Sequence, residues 1–186
     1  MPSAIRADLL FDPGVIPHSG QDSLGQDLIL RPLASDDHTR GHLDLLSILT
    51  AAPQLSPTAY SDIFAHHKSC PSTYFTIVIV HESTDTLVAC GSIVLERKFV
   101  RGGGLIGHIE DIAVAKSMQG RKLGIKIINT LEAIGRAKGC YKIILDCSKD
   151  NIPFYEKCGF KHKEYQMVRY LSDPNTTPTP LAASKL

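Results

Sequence analysis

Between Gly107 and Gly124 the chain reads GHIEDIAVAKSMQGRKLG, and this stretch holds most of the chemistry the sequence can offer. The β-branched run Ile109 to Val114 is interrupted by two acids, Glu110 and Asp111. Ala115 to Met118 reads as a turn, and Gln119-Gly120-Arg121-Lys122-Leu123-Gly124 then runs into a helical pattern from Ile125 to Lys138. A strand that feeds a glycine-bearing turn and a helix N-terminus is an anion cradle. The N–H groups of the first helical turn lack partners, and the helix dipole favours negative charge there. Acids beside a phosphate cradle suggest an enzyme of small molecules that uses a phosphorylated cofactor. Adjacent strand residues point to opposite faces, so only one of Glu110 and Asp111 reaches a common cleft unless a bulge intervenes. A third acid, Asp146, follows the apolar run Ile143-Ile144-Leu145, where a carboxylate is costly unless paired.

The elements that must position these groups follow from periodicity. Leu28 to Leu33 reads as a first strand. Ser35-Asp36-Asp37 offers an N-cap to a helix with the stripe Leu43, Leu45, Leu46, Ile48 and Leu49, ended by Pro53. Ser56-Pro57 opens a second helix to about Lys68. Thr73 to His81 and Leu87 to Val100 form a hairpin, Gly102-Gly103-Gly104 a turn, and Leu105 to Val114 the central strand. The helix from Arg121 to Lys138 carries Leu123, Ile127, Ile128, Leu131 and Ile134 on one stripe, with Gly139 at its end. Tyr141 to Cys147 reads as a buried strand, Asn151 to Gly159 as a short helix closed by glycine, and Phe160 to Leu171 as a last strand. This order predicts an α/β (α+β) fold: a mixed, mostly antiparallel sheet, helices on both faces, and a right-handed parallel β-α-β unit over residues 108–146.

Residues 1–26 read as a flexible arm whose apolar cluster Leu9, Leu10 and Phe11 could dock on the body; 27–171 is the folded domain; 172–186, with three prolines, is a disordered tail. A net charge of +1 argues against electrostatic attraction to nucleic acid or an acidic membrane. Five cysteines with no CxxC pair argue against a disulfide framework or a structural zinc site. No apolar run reaches the ~20 residues of a membrane span. A cytoplasmic protein is expected. His38 and His42 sit at helical spacing and His66 and His67 are adjacent, but metal binding needs more ligands within reach, so a solvated helix face is the reading and no metal is expected. Cys147 lacks an activating histidine and reads as a packed thiol.

Element order and two motifs resemble the GCN5-related N-acetyltransferase superfamily. The first is Gln119 to Gly124, similar to that family's pyrophosphate-binding turn, Gln/Arg-x-x-Gly-x-Gly/Ala, with Lys122 where the family has glycine. A backbone donor tolerates that exchange provided φ stays negative. The second is Asn151, Phe154, Tyr155, Gly159 and Phe160 in an Asn-x-x-Phe-Tyr-x-x-x-Gly-Phe segment. GHIEDIAV, GCYKIILDC and NIPFYEKCGF look like the glucosamine 6-phosphate N-acetyltransferase branch, strongly over residues 98–170 and weakly over 28–97.

The resemblance implies acetyl transfer from acetyl-CoA to glucosamine 6-phosphate, on the route to UDP-N-acetylglucosamine, by an intimate homodimer whose C-terminal strand reaches the partner subunit. It implies a coenzyme site of Ile112, Ala113, Val114, the turn Gln119-Gly120-Arg121-Lys122-Leu123-Gly124, Asn151, Phe154, Tyr155 and Lys157. N–H groups of Ile112 to Val114 would polarise the acetyl carbonyl, and Tyr155 would donate to the departing sulfur. Glu110 and Asp146 would orient or deprotonate the amine. The family strand carries a bulge at the two acids. Thr50, Lys98, Val100, Arg101, Asp111, Tyr141, Lys142 and Arg169 would complete the sugar-phosphate site, although the family's C-terminal arginine is offset by one residue, where Tyr170 stands. By themselves, Tyr155 also reads as a helix tyrosine packed beside Phe154, Ile112 to Val114 as core, and each lone cation as surface. Two other functions stay open: acetylation of a peptide or lysine amine, and a non-catalytic acetyl-CoA-binding regulatory module.

Overall fold

The computed structural model describes residues 8–17, 24–25 and 27–171. The expected tail over 172–186, and the rest of the expected N-terminal arm, lie outside the described residues. One five-stranded sheet has the spatial order β1 (Leu28–Pro32), β2 (Tyr74–His81), β3 (Thr86–Arg97), β4 (Leu105–Val114), β5 (Cys140–Ile144). Every neighbouring pair is antiparallel except β4 and β5, which are parallel. The helices are α1 (His42–Leu46), α2 (Pro57–Ser69), α3 (Leu123–Ala137) and α4 (Ile152–Lys157). α3 joins β4 to β5, as a parallel pair requires.

Alternation along β2 divides the interior into two cores. Phe75, Ile77 and Ile79 face one side, where α3 lays down Ile127, Ile128, Leu131 and Ile134. Val78 and Val80 face the other, against Leu45 of α1 and Phe64 of α2. α3 sits very close to the sheet at Gly91: a Cβ there would lie 2.5 Å from both Ile112 Cδ1 and Ile127 Cγ2. The start of α2 follows its local signal, with the Ser56 hydroxyl accepting from the Ala59 N–H at 3.1 Å ahead of Pro57.

Several expectations change. The first helix is shorter: a 3-10 turn, Asp37–Arg40, precedes the five residues of α1, and Ile48 and Leu49 are exposed. Asp37 is fully buried, where Arg31 grips it through two bonds of 2.7 and 2.8 Å. His42 is not on a solvated face; it is buried, with Nδ1 2.8 Å from the Tyr60 hydroxyl, and burial lowers its pKa to about 4. The N-terminal segment is not loose where it is described. Leu9 bridges to Ala34, Leu10 and Leu24 are buried, and Phe11 packs edge-on against Phe75. β5 is an edge strand rather than a buried one, with Tyr141 and Ile144 exposed. The last strand is absent: residues 161–171 are exposed and enter no sheet. A strand exists only where another strand takes up its backbone groups, and among the described residues this segment has no such neighbour.

Candidate active site

β4 changes character halfway along. Cys90 pairs with Ala113 and Ser92 with Glu110, so Asp111 and Ile112 together face Gly91 alone. This is a β-bulge, and Asp111 takes the left-handed conformation it needs, φ +57°. On its other side β4 pairs with β5 only as far as His108 and Ile144. Beyond that point the two parallel strands part, and residues 109–114 have no strand partner on this side among the described residues. The wedge leaves main-chain groups of Ile112 to Val114 with an open edge. The bulge lies where the two strands have parted, and Glu110 and Asp111 are both exposed there.

At the end of β4 the turn from Gln119 to Gly124 delivers the chain into α3. Gly120 has φ +82° and Lys122 φ +60°, ψ +20°. Lys122 therefore stands in the left-handed region, contrary to the negative φ expected when lysine replaces glycine. Left-handed residues on either side of Arg121 are the kind of backbone that gathers successive N–H groups into one concavity. The concavity opens onto the N-terminus of a 15-residue helix, and this donor set suits a diphosphate. Gly124 keeps it compact, since a Cβ there would lie 3.2 Å from Phe154 Cζ of α4.

Three carboxylates interact around the wedge. Partial desolvation raises the pKa of Glu110, and the charges of Asp111 and Asp146 raise it further, while His108 pulls it down. Desolvation also raises Asp111, opposed by His67. Asp146 lies two residues past β5 and accepts from Gln166 Nε2 at 2.9 Å. Tyr155 is half-buried between Phe154 and Phe160, with ring centroids at 5.1 and 6.2 Å. Burial raises its phenol pKa, with added pressure from Cys147 and Cys158, so it remains protonated at neutral pH. A weakly acidic phenol, clustered acids and a main-chain cradle for a diphosphate suit transfer of an acyl group from a nucleotide-linked thioester to an amine.

Comparison with known proteins decides the family. A profile of the Acetyltransferase (GNAT) family matches residues 42–160. The chain belongs to the GNAT family of acetyltransferases. Among its relatives, glucosamine 6-phosphate N-acetyltransferase 1 of Dictyostelium discoideum is 45% identical over 144 residues, 77% of this chain and 91% of that protein. The glucosamine 6-phosphate N-acetyltransferase of Candida albicans is 40% identical, over 78% of this chain and 97% of that one. The crystal structure of glucosamine-6-phosphate N-acetyltransferase from Arabidopsis thaliana superposes with a TM-score of 0.77 at 35% identity, over 79% of this chain and all of that one. The mixed open sheet is thus the GNAT fold, and acetyl-CoA is the co-substrate its family uses.

Of the expected site residues, Glu110, Asp111 and Asp146 lie near enough to one another to interact, and Phe154, beside Tyr155, meets the turn at Gly124. Other expected residues sit further out. Val100 and Arg101 lie in a tight left-handed turn, Val100–Gly103, with the Arg101 guanidinium 5.7 Å from the Tyr141 ring centre on β5. Lys142 is exposed on β5, and Lys98 follows β3, bonded to Glu96. Asn151 and Lys157 are exposed at the two ends of α4. Thr50, after α1, and Arg169, on the C-terminal segment, are exposed. Cys147 is exposed, not packed. His67 escaped sequence reasoning; it stacks on Tyr74, 4.1 Å between centroids and 7° between planes, close enough to Asp111 to act on its charge. Among the described residues no group of His, Cys, Asp and Glu forms a metal site, and no helix is long and apolar enough to cross a membrane.

Proposed function

We propose that this GNAT chain is a glucosamine 6-phosphate N-acetyltransferase. The parting of β4 and β5 after His108 and Ile144 carries the reading, because it leaves the β4 backbone past His108 open on that side, in the stretch that holds Glu110 and Asp111. The named relatives support the choice of sugar, since glucosamine 6-phosphate N-acetyltransferases match this chain at 45% and 40% identity over 77% and 78% of its length. Residues 119–124 hold the coenzyme's diphosphate, with Asn151 and Lys157 alongside. The pantetheine follows Ile112 to Val114, whose N–H groups polarise the acetyl carbonyl. Lys98, Arg101, Lys142 and Arg169 meet the sugar phosphate, with Thr50, Val100 and Tyr141 around the ring.

The 2-amino group gives up a proton to Glu110 or Asp146. The neutral amine then attacks the acetyl carbon; a C–N bond forms, the C–S bond breaks and Tyr155 passes its phenol proton to the sulfur, while the second proton lost by the nitrogen restores the phenol. The raised pKa of Glu110 brings it nearer to that of an ammonium, which favours it as the acceptor of that proton. Most of the acceleration comes from holding two reactants in line. The test is thiol release from acetyl-CoA with glucosamine 6-phosphate as acceptor and lysine peptides in parallel; release with peptides alone rejects the sugar.

The working unit in this reading is a cytoplasmic homodimer. Tyr165, Met167, Val168, Tyr170 and Leu171 are exposed and β5 is an edge strand, and a second copy would give this segment a strand partner and bring Arg169 to a site. Sedimentation of the purified chain as a monomer would remove this part of the reading and leave the chemistry intact.

A further inference from the structure

The carboxylate of Glu96 is held at both oxygens. Oε1 accepts from Lys98 Nζ at 2.5 Å, and Oε2 lies 3.0 Å from His108 Nε2. Sheet register explains the reach. Glu96 pairs with Ile106 and Val94 with His108, so Glu96 and His108 are diagonal neighbours across β3 and β4. The backbone of Lys98 is fixed too, its N–H donating to the Gly104 carbonyl at 2.8 Å. Further along β4, two residues from His108 and on the same face, is Glu110, which senses the charge of His108. Lys98, Glu96, His108 and Glu110 thus form a row from the outer rim of the site to the acids of the wedge.

We propose that Glu96 is the positioning residue of the sugar-phosphate subsite: pinned by His108, it aims the Lys98 ammonium at the phosphate. The inference rests on the glucosamine 6-phosphate reading above. A lysine is a point charge on a flexible stem with three donors. Glu96 uses one donor and fixes the stem, which leaves two N–H groups for phosphate oxygens. His108 offsets part of the Glu96 charge, and this limits its repulsion of the incoming dianion. Glu96 itself touches neither reacting atom.

The experiment compares Glu96→Ala and Glu96→Gln with the unaltered chain. Glu96→Ala raises KM for glucosamine 6-phosphate roughly five- to tenfold, the size of one mis-aimed charged hydrogen bond, with kcat and the KM for acetyl-CoA within about twofold. Inorganic phosphate, as a competitive inhibitor, weakens by a similar factor. Glu96→Gln keeps an oxygen for Lys98 and falls between. The Glu96 side chain is 44% exposed, so the variants keep their fold, and an unchanged KM for acetyl-CoA confirms it. An unchanged KM for the sugar phosphate overturns the proposal, and so does an equal loss toward acetyl-CoA, which would mark Glu96 as structural. Failure of the unaltered chain to acetylate the sugar phosphate at all would instead reject the function on which the inference rests.

Discussion

Replacing Lys122 by glycine should stabilise the protein. Lys122 holds φ +60° and ψ +20° at the residue before α3, a conformation its Cβ makes unfavourable. Left-handed geometry costs an L-residue about 1–2 kcal/mol, and glycine avoids that cost. Glycine also loosens the unfolded chain, which offsets about 0.4–1 kcal/mol. A net gain of about 1 kcal/mol remains, equivalent to about 2–4 °C in Tm for a domain of this size. The assay is thermal unfolding without coenzyme, with Lys122→Ala as the control. Alanine removes the same charge but keeps the Cβ, so it should show no gain. Both variants should bind coenzyme A somewhat less well, because each deletes a cation from the proposed diphosphate cradle. A glycine variant that melts no higher than the alanine variant would show that the left-handed turn carries no strain, and the account of this cradle would fall with it.

Tyr155→Phe should lower kcat by about 10²–10⁴, the span of a lost general acid, with coenzyme A affinity within about twofold by calorimetry; full activity would remove the phenol from the mechanism. Gly91→Ala should destabilise by about 1–3 kcal/mol, because the new Cβ would lie 2.5 Å from Ile112 and Ile127 in a filled core; denaturant unfolding checks it, and an unchanged midpoint would mean that α3 can step back from the sheet. Asp146→Asn should move the acid limb of kcat/KM to lower pH. The like charge of Asp146 helps to raise Glu110, so removing it lets Glu110 ionise, and accept a proton from the amine, at a lower pH. A uniform loss of activity with no shift would assign the proton transfer to Asp146 instead.

Features set by neighbours in the chain were legible from residues alone. Ser56-Pro57 caps α2, Gly139 and Gly159 end α3 and α4 at positive φ, and the stripe of α3 faces the sheet as its spacing requires. What escaped depends on groups far apart in sequence. His42 and Tyr60 are 18 residues apart and bond in the second core, so a spacing that suggests a wet helix face belongs to the interior. Glu96 and His108 meet only because β3 and β4 are in one register. Phe160 to Leu171 has the residues of a strand, but residue type supplies propensity and not a partner, and among the described residues no strand pairs with it.

The bulge shows how the two kinds of information combine. Glu110 and Asp111 alone left open whether one acid or both could face a cleft, and nothing in an Asp favours φ +57° strongly enough to announce a bulge. Its cause lies across the sheet. At Gly91 the strand has no side chain, and Ile112 and Ile127 close over that gap. Ile112 can do so only if β4 gains one residue relative to β3 just before it, and that extra residue is Asp111. The close seat of α3 and the gathering of the acids are therefore one event. A side chain at position 91 should disturb the electrostatics of Glu110 as well as the packing of the core.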